Sequence, residues 1–231
     1  MEESRYSRQL MLQEIGEEGQ RRLAQARVLI VGAGGLGSNI ATCLAGAGVG
    51  TIGLADDDVV SLSNLHRQTL YAEGQEGRAK VDCARERLEA FNGSITVNTY
   101  NTRLTAGNAE ELIGKYDVVM DATDNFKSRY LLSDICVRLG KPMVYGAIEG
   151  LDGQVSVFCK GHATYRTLCP DEAATLSMPH HGKAVAGVTP AVVGSVQASQ
   201  ALQLICGYGT PLIDRLWAID LRTMFSVVVE L

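Results

Sequence analysis

The 231-residue sequence contains no basic run, no uninterrupted apolar stretch of membrane-spanning length and no pair of cysteines spaced C-x-x-C. Each absence excludes something. A net charge of −5 without a basic cluster argues against nucleic acid as the main partner. Without about eighteen consecutive apolar residues, nothing is expected to span a membrane. The opening Met1-Glu2-Glu3-Ser4-Arg5 is charged and has no apolar core, so no signal peptide is read there. Cys43, Cys83, Cys136, Cys159, Cys169 and Cys206 are scattered; Cys43, Cys83, Cys136 and Cys206 fall on expected helices and read as small buried hydrophobes. A reducing, cytoplasmic setting follows. There is also no internal repeat and no low-complexity segment. What remains is 46% hydrophobic and 20% charged, enough for one large globular domain with a sizeable core.

The most informative stretch begins Val28-Leu29-Ile30-Val31, four apolar residues of which three are β-branched, and reads as a buried strand. Gly32, Gly34 and Gly37 follow as G-x-G-x-x-G, and residues 38–47 continue as a helix. A strand turning tightly into a helix aims free N–H groups and the positive end of the helix dipole at one point, where phosphates bind. The first glycine allows the turn, the second lets backbone approach phosphate, and the third lets helix pack on strand. After a second strand over 51–55 comes Asp56, nineteen residues past Gly37, where a ribose-binding carboxylate is expected. Strand, helix and acid together raise nucleotide binding above a purely structural turn.

The rest of the chain alternates. Residues 5–26 read as a solvated N-terminal arm with a polar helix around 17–26. Helices are expected over 77–91, 107–115 and 126–139, and strands over 94–100, 117–120 and 142–147. This alternation to residue 148 predicts an α/β, doubly wound, parallel sheet. Beyond Gly150 strands are read over 154–159, 216–221 and, less clearly, 225–231, around a helix over 190–206. Residues 161–187, rich in Pro, Gly, His and Thr, read as a long irregular loop, a kind that is usually functional or disordered.

Polar residues gather at two strand ends. Asp56, Asp57 and Asp58 sit at the carboxyl edge where open α/β sheets bind ligands. Asn64, Arg67 and Gln68 follow on one short turn with donors suited to phosphate oxygens. Lys80, in a helix's first turn, is disfavoured by the dipole unless something anionic lies nearby or the side chain is simply solvated. Asp121-Ala122-Thr123-Asp124-Asn125 ends a further strand, with Asn125 or Asp124 capping the next helix.

These residues resemble the ThiF/MoeB/HesA family, bacterial relatives of ubiquitin-activating enzymes. The likeness covers essentially the whole chain: R-Y-x-R-Q (Arg5, Tyr6, Arg8, Gln9), G-x-G-G-L-G (Gly32, Gly34, Gly35, Gly37), the segment from Asp56 to Gln68, G-x-x-K (Gly77, Lys80), D-x-T-D-N, G-x-x-G-Q (Gly150, Gly153, Gln154) and T-P (Thr189, Pro190). The resemblance implies a Rossmann-like, mostly parallel sheet extended by antiparallel strands in the C-terminal third. It divides the single domain into an arm (1–26), a nucleotide-binding part (27–148) and a carrier-binding part with a crossover loop (149–231). It implies ATP- and magnesium-dependent adenylation of the C-terminal Gly-Gly carboxylate of a small ubiquitin-like sulfur carrier protein. Asp56 would hold the ribose, with Gly32, Gly34, Gly35, Gly37, Asp58, Gln68 and Asn125 also lining the nucleotide. Asn64, Arg67 and Lys80 would neutralise the triphosphate, and Asp124 would hold magnesium. Arg8 would reach across a homodimer interface into the partner's site.

Two departures stand out. Most of the family holds a structural zinc with two C-x-x-C pairs; here Thr164 and Thr167 stand where the first pair belongs, and no second pair follows before Leu231. The family zinc is therefore not expected, and Cys159, His162, Cys169, His180 and His181 match no other metal pattern. Residues 173–186 also lack the cysteine with which ThiF proteins form an acyl disulfide. Neither Ser177 nor His180 replaces a thiolate, and Cys169 reads as incidental. The competing readings are a nicotinamide-dependent oxidoreductase, which leaves Lys80, Arg67 and the extra aspartates without a role, and a non-catalytic member of the activating-enzyme family.

Overall fold

The computed structural model describes residues 5–178 and 184–231. Helices α1 (Ser7–Leu10) and α2 (Gly16–Gln25) precede an alternating run: β1 (Arg27–Val31), α3 (Gly35–Ala47), β2 (Thr51–Ala55), α4 (Lys80–Phe91), β3 (Thr96–Tyr100), α5 (Ala109–Gly114), β4 (Val118–Asp121), α6 (Phe126–Leu139) and β5 (Met143–Glu149). The C-terminal third adds β6 (Asp152–Phe158), α7 (Tyr165–Leu168), α8 (Glu172–Ser177), α9 (Val188–Cys206), β7 (Arg215–Asp220) and β8 (Phe225–Glu230).

All these strands form one sheet in the order β3-β2-β1-β4-β5-β6-β7-β8. From β3 to β5 neighbours run parallel, and from β5 to β8 antiparallel. The chain leaves β1 towards β2 on one side and returns to β4 on the other. That reversal opens a crevice at the carboxyl ends of β1 and β4, the place where open α/β sheets bind ligands. The doubly wound, mostly parallel sheet with an antiparallel extension is thus as the sequence implied.

Strand periodicity builds the two helical layers. Val28 and Ile30 join Ile40 and Leu44 of α3, Val81 and Leu88 of α4 and Val193 of α9 on one face. Leu29 and Val31 point the other way, against Leu112 and Ile113 of α5 and Leu132 and Ile135 of α6. With both faces covered, β1 is apolar at four successive positions rather than alternating. Each such side chain contributes about 1.5–3 kcal/mol on burial.

Several expectations need correction. The 5–26 segment is not a solvated arm: Leu23 is fully buried, and Gln9 and Gln20 both donate to the Ala47 carbonyl. The helix expected from Gly77 starts at Lys80, because Gly77 takes φ +83° and residues 77–80 instead hydrogen-bond to residues 58–60. The 161–187 loop contains α7 and α8, each begun by a capping residue: Thr164, whose N–H bonds to Thr167, and Asp171, which accepts from the Ala174 N–H. Cys43 is exposed on the outer side of α3, while Cys83, Cys136 and Cys206 are buried as read. Among the described residues no helix is long and apolar enough to cross a membrane.

Leu44, fully buried between α3 and the sheet, is the clearest measure of this packing. Leu44→Ala is expected to lower unfolding free energy by about 2–5 kcal/mol in urea titration, with an unchanged m-value.

Candidate functional site

The glycine turn after β1 lies at the crevice and is built by close contact. Gly32 has φ +99°, and a Cβ there would sit 2.4 Å from the Ala122 carbonyl oxygen. A Cβ on Gly37 would sit 2.0 Å from the Gly32 carbonyl oxygen. Neither position tolerates a side chain. Gly37 thus lets the first turn of α3 close over its own loop, a more local reason than helix-on-strand packing. Gly34 differs: a Cβ there would meet only the Gln68 Nε2, at 3.6 Å. A Cβ on Gly35 would sit 3.1 Å from the Pro190 ring, so the N-termini of α3 and α9 lie side by side.

Asp56 braces this turn. Its Oδ2 accepts from the Ala33 N–H at 2.6 Å and its Oδ1 from the Asp58 N–H at 2.8 Å. A carboxylate offers about four acceptor positions, so these two bonds leave some of them unused. On the other side the Tyr71 hydroxyl donates to the Ala33 carbonyl at 2.7 Å. Burial, reinforced by the charges of Asp56 and Asp58, pushes the Tyr71 phenol well above its ordinary pKa, so it stays a donor.

Lys80 is 3% exposed, and its Nζ lies 2.9 Å from Oδ2 of the exposed Asp58. The solvated reading fails, and the anionic neighbour is a carboxylate of the same edge. Asp57 pairs with Arg103 at 3.3 Å. Asp56, Asp57 and Asp58 each bring one carboxylate oxygen within 4.8 Å of the others. Beside them Asn64 Oδ1 accepts from Arg67 Nη2 at 2.8 Å, and Arg67 Nη1 reaches the Ser63 carbonyl at 3.2 Å and His66 at 2.7 Å. Gln68 is buried, and its Oε1 has no hydrogen-bond partner among the described residues. The α9 end touches this turn: a Cβ on Gly187 would sit 2.4 Å from the His66 carbonyl oxygen.

The turn after β4 faces the glycine loop through the Ala122 contact. Asp121 is fully buried and its Oδ1 accepts from the Thr123 N–H at 3.0 Å and hydroxyl at 2.7 Å. Burial raises the Asp121 carboxyl pKa against the opposing pull of Arg129, whose Nε lies 3.8 Å from Oδ2. Arg129 Nη2 also donates to the Thr123 carbonyl at 3.2 Å, and its guanidinium lies over Tyr145. Asn125, not Asp124, caps α6: its Oδ1 accepts from the Ser128 N–H at 2.9 Å. Asp124 is exposed at the rim. Gln197 of α9 donates to the Asp121 carbonyl at 2.7 Å, tying the end of β4 to α9.

Asp121 opens the D-x-T-D-N motif without a role assigned to it there, and Tyr71, Arg129 and Gln197 carry no motif-level signal of their own. Arg8 is the expected residue that is not brought to this crevice. It is exposed on α1, whose neighbours Tyr6 and Gln9 dock at Gly48 and Ala47, the far end of α3. Thirteen helical residues separate that end from the glycine turn, about 20 Å at 1.5 Å per residue.

Where the family zinc would lie, the Thr164 N–H instead donates to the Thr167 hydroxyl at 3.0 Å. His162 Nδ1 is 2.8 Å from Asp214 Oδ2, and Asp214 also accepts from the Ala163 N–H at 2.7 Å. His180 and His181 lie outside the described residues.

A nucleotide-binding Rossmann-like domain is what this crevice and its two turns define. The chain belongs to the ThiF family, whose model matches residues 6–230. It is 46% identical over 225 residues to a Thermus thermophilus protein named "Sulfur carrier protein adenylyltransferase", covering 94% of this chain and 82% of that one. It is 44% identical to "Adenylyltransferase and sulfurtransferase MOCS3-1" of Zea mays, covering 98% of this chain and 49% of that one. It is 42% identical to "Probable adenylyltransferase/sulfurtransferase MoeZ" of Mycobacterium tuberculosis, covering 96% and 58%. The chain thus spans only about half the length of those last two. A crystal structure of E. coli MccB with ATP shares the fold with a TM-score of 0.88 at 23% identity, covering 99% of this chain and 71% of that one.

The Thr164 and Thr167 geometry generates a direct test. Purified protein is expected to hold well under one equivalent of zinc by elemental analysis, whereas a full equivalent retained against a mild chelator would contradict this.

Proposed function

We propose that this protein uses ATP and magnesium to adenylate the C-terminal Gly-Gly carboxylate of a small ubiquitin-like sulfur carrier protein, releasing pyrophosphate. The observation that carries this reading is the pair of turns at the switch point, one presenting glycine backbone and the other Asp124, in a chain 46% identical to a sulfur carrier protein adenylyltransferase. A carrier carboxylate oxygen attacks the α-phosphorus, and the bond from that phosphorus to the bridging oxygen breaks. Two anions must meet, so the residues around them must supply opposite charge in a fixed array.

In this reading Asp56, already holding the Ala33 N–H, takes the ribose with its remaining acceptor positions. Gly32, Gly34, Gly35 and Gly37 lie along the nucleotide, with Gln68 and Asn125 beside it. Lys80 and Arg67 are cations fixed by Asp58 and Asn64 before substrate arrives, so little reorganisation remains for the reaction. Asp124 would hold magnesium, which supplies charge for the triphosphate when bound. The same array is surplus to an oxidoreductase and unneeded by a non-catalytic relative.

The direct test is carrier-dependent ATP–pyrophosphate exchange. Asp124→Ala is expected to lower the exchange rate about 10²-fold or more with the unfolding midpoint unchanged. Near-normal exchange in a folded variant would remove Asp124 from the role.

The position of Arg8 on the far side of its own subunit supports its acting in a partner's site, in a symmetric homodimer with two composite sites. Arg8→Ala and Asp124→Ala should each be inactive alone and recover activity when mixed. In the mixed dimer one site keeps both residues and the other loses both, so up to about half of the heterodimer sites work. Absence of rescue in tagged, confirmed heterodimers would reject the trans arrangement.

A further inference from the structure

Ala33, between two glycines, is fully buried and held from both sides. Its N–H goes to Asp56 and its carbonyl accepts the Tyr71 hydroxyl at 2.7 Å. The consequence lies one atom further on. In a planar trans peptide the Ala33 carbonyl and the Gly34 N–H point in opposite directions. Pinning that carbonyl towards Tyr71 therefore aims the Gly34 N–H away from the protein interior. Gly34 is partly exposed, no acceptor among the described residues is bonded to its N–H, and only Gln68 Nε2 lies within 4 Å of where its Cβ would be. Glycine on both sides gives this segment unusual rotational freedom, so something must select one orientation. A rotated peptide would turn the Ala33 carbonyl dipole, not an N–H, towards an incoming anion.

We propose that Tyr71 is a positioning residue that orients the Ala33–Gly34 peptide so that its N–H receives a nucleotide phosphate. It touches neither nucleotide nor carrier and acts through the backbone. The proposal rests on the ATP reading given above, and it names a residue that lies between the Asn64–Gln68 turn and α4, itself in neither helix nor strand.

Removing the hydroxyl leaves the Ala33 carbonyl buried and unpaired, and releases the orientation of the next N–H. The test compares binding of ATP, AMP and adenosine to the intact protein and to Tyr71→Phe by calorimetry, with the unliganded unfolding midpoint measured alongside. Tyr71→Phe is expected to weaken ATP and AMP about tenfold and to leave adenosine unchanged. In pyrophosphate exchange the KM for ATP should rise while the KM for carrier stays. Tyr71→Met, which fills similar space without a donor, takes the same measurement if the phenylalanine variant does not fold. Equal losses for adenosine and ATP would assign Tyr71 a general packing role and overturn the proposal. Unchanged ATP affinity in the variant would overturn it too, while leaving the ATP reading intact. Failure of the unaltered protein to bind ATP would instead remove that reading itself.

Discussion

A carbonyl oxygen occupies the space that any side chain at residue 32 would need. The Ala122 oxygen lies 2.4 Å from where a Gly32 Cβ would be, so the turns after β1 and β4 interlock at the crevice of the sheet. Much else is arranged around that contact. It sets how far α3 can close over the loop, which in turn requires Gly37. It brings the Asp121-to-Asn125 turn against the glycine turn, so that Asp124 and the α3 N-terminus share one rim. Parallel β1–β4 pairing, with Val28 opposite Val118 and Val31 opposite Asp121, carries the contact into the core.

Charge around the crevice is organised on two levels. Deep within, Asp121 is fully buried at some cost, shown by its raised pKa, and is kept by Thr123, Arg129 and the rigid turn they share. Nearer the rim, Lys80 is held by Asp58 and Arg67 by Asn64, the Ser63 carbonyl and His66, while Asp124 is exposed. The deep groups set backbone direction, and the proposed phosphate-binding groups lie above them. Asp56 and Tyr71 bridge the two levels by clasping opposite ends of Ala33.

Much of this was legible before any coordinates. Four apolar residues ending in a glycine motif read as a buried strand, and β1 is covered on both faces. The aspartates after β2 and β4 were readable as strand-end groups because alternation fixed where strands stop. The start of α4 was misjudged because Gly77 adopts positive φ and residues 77–80 pair with a loop, a long-range pairing that helical periodicity does not register. The 161–187 segment looked irregular because α7 and α8 are a single turn or so each, too short to show a period. Cys43 lies on the outward side of α3, a face the pattern of small residues in that helix does not distinguish.

What the sequence determined by itself was the alternation of strands and longer helices, the class of sheet and the chemical character of the strand-end turns, since each depends on local period, turn residues and charge. Tertiary structure alone decided which groups meet. Lys80 finds Asp58 across 22 positions, Tyr71 finds Ala33 across 38, and Gln197 finds Asp121 across 76. It also decided that Arg8 lies at the opposite end of α3 from the crevice. Separations of that size carry no periodic trace in the chain; they exist only once strand order places distant segments side by side.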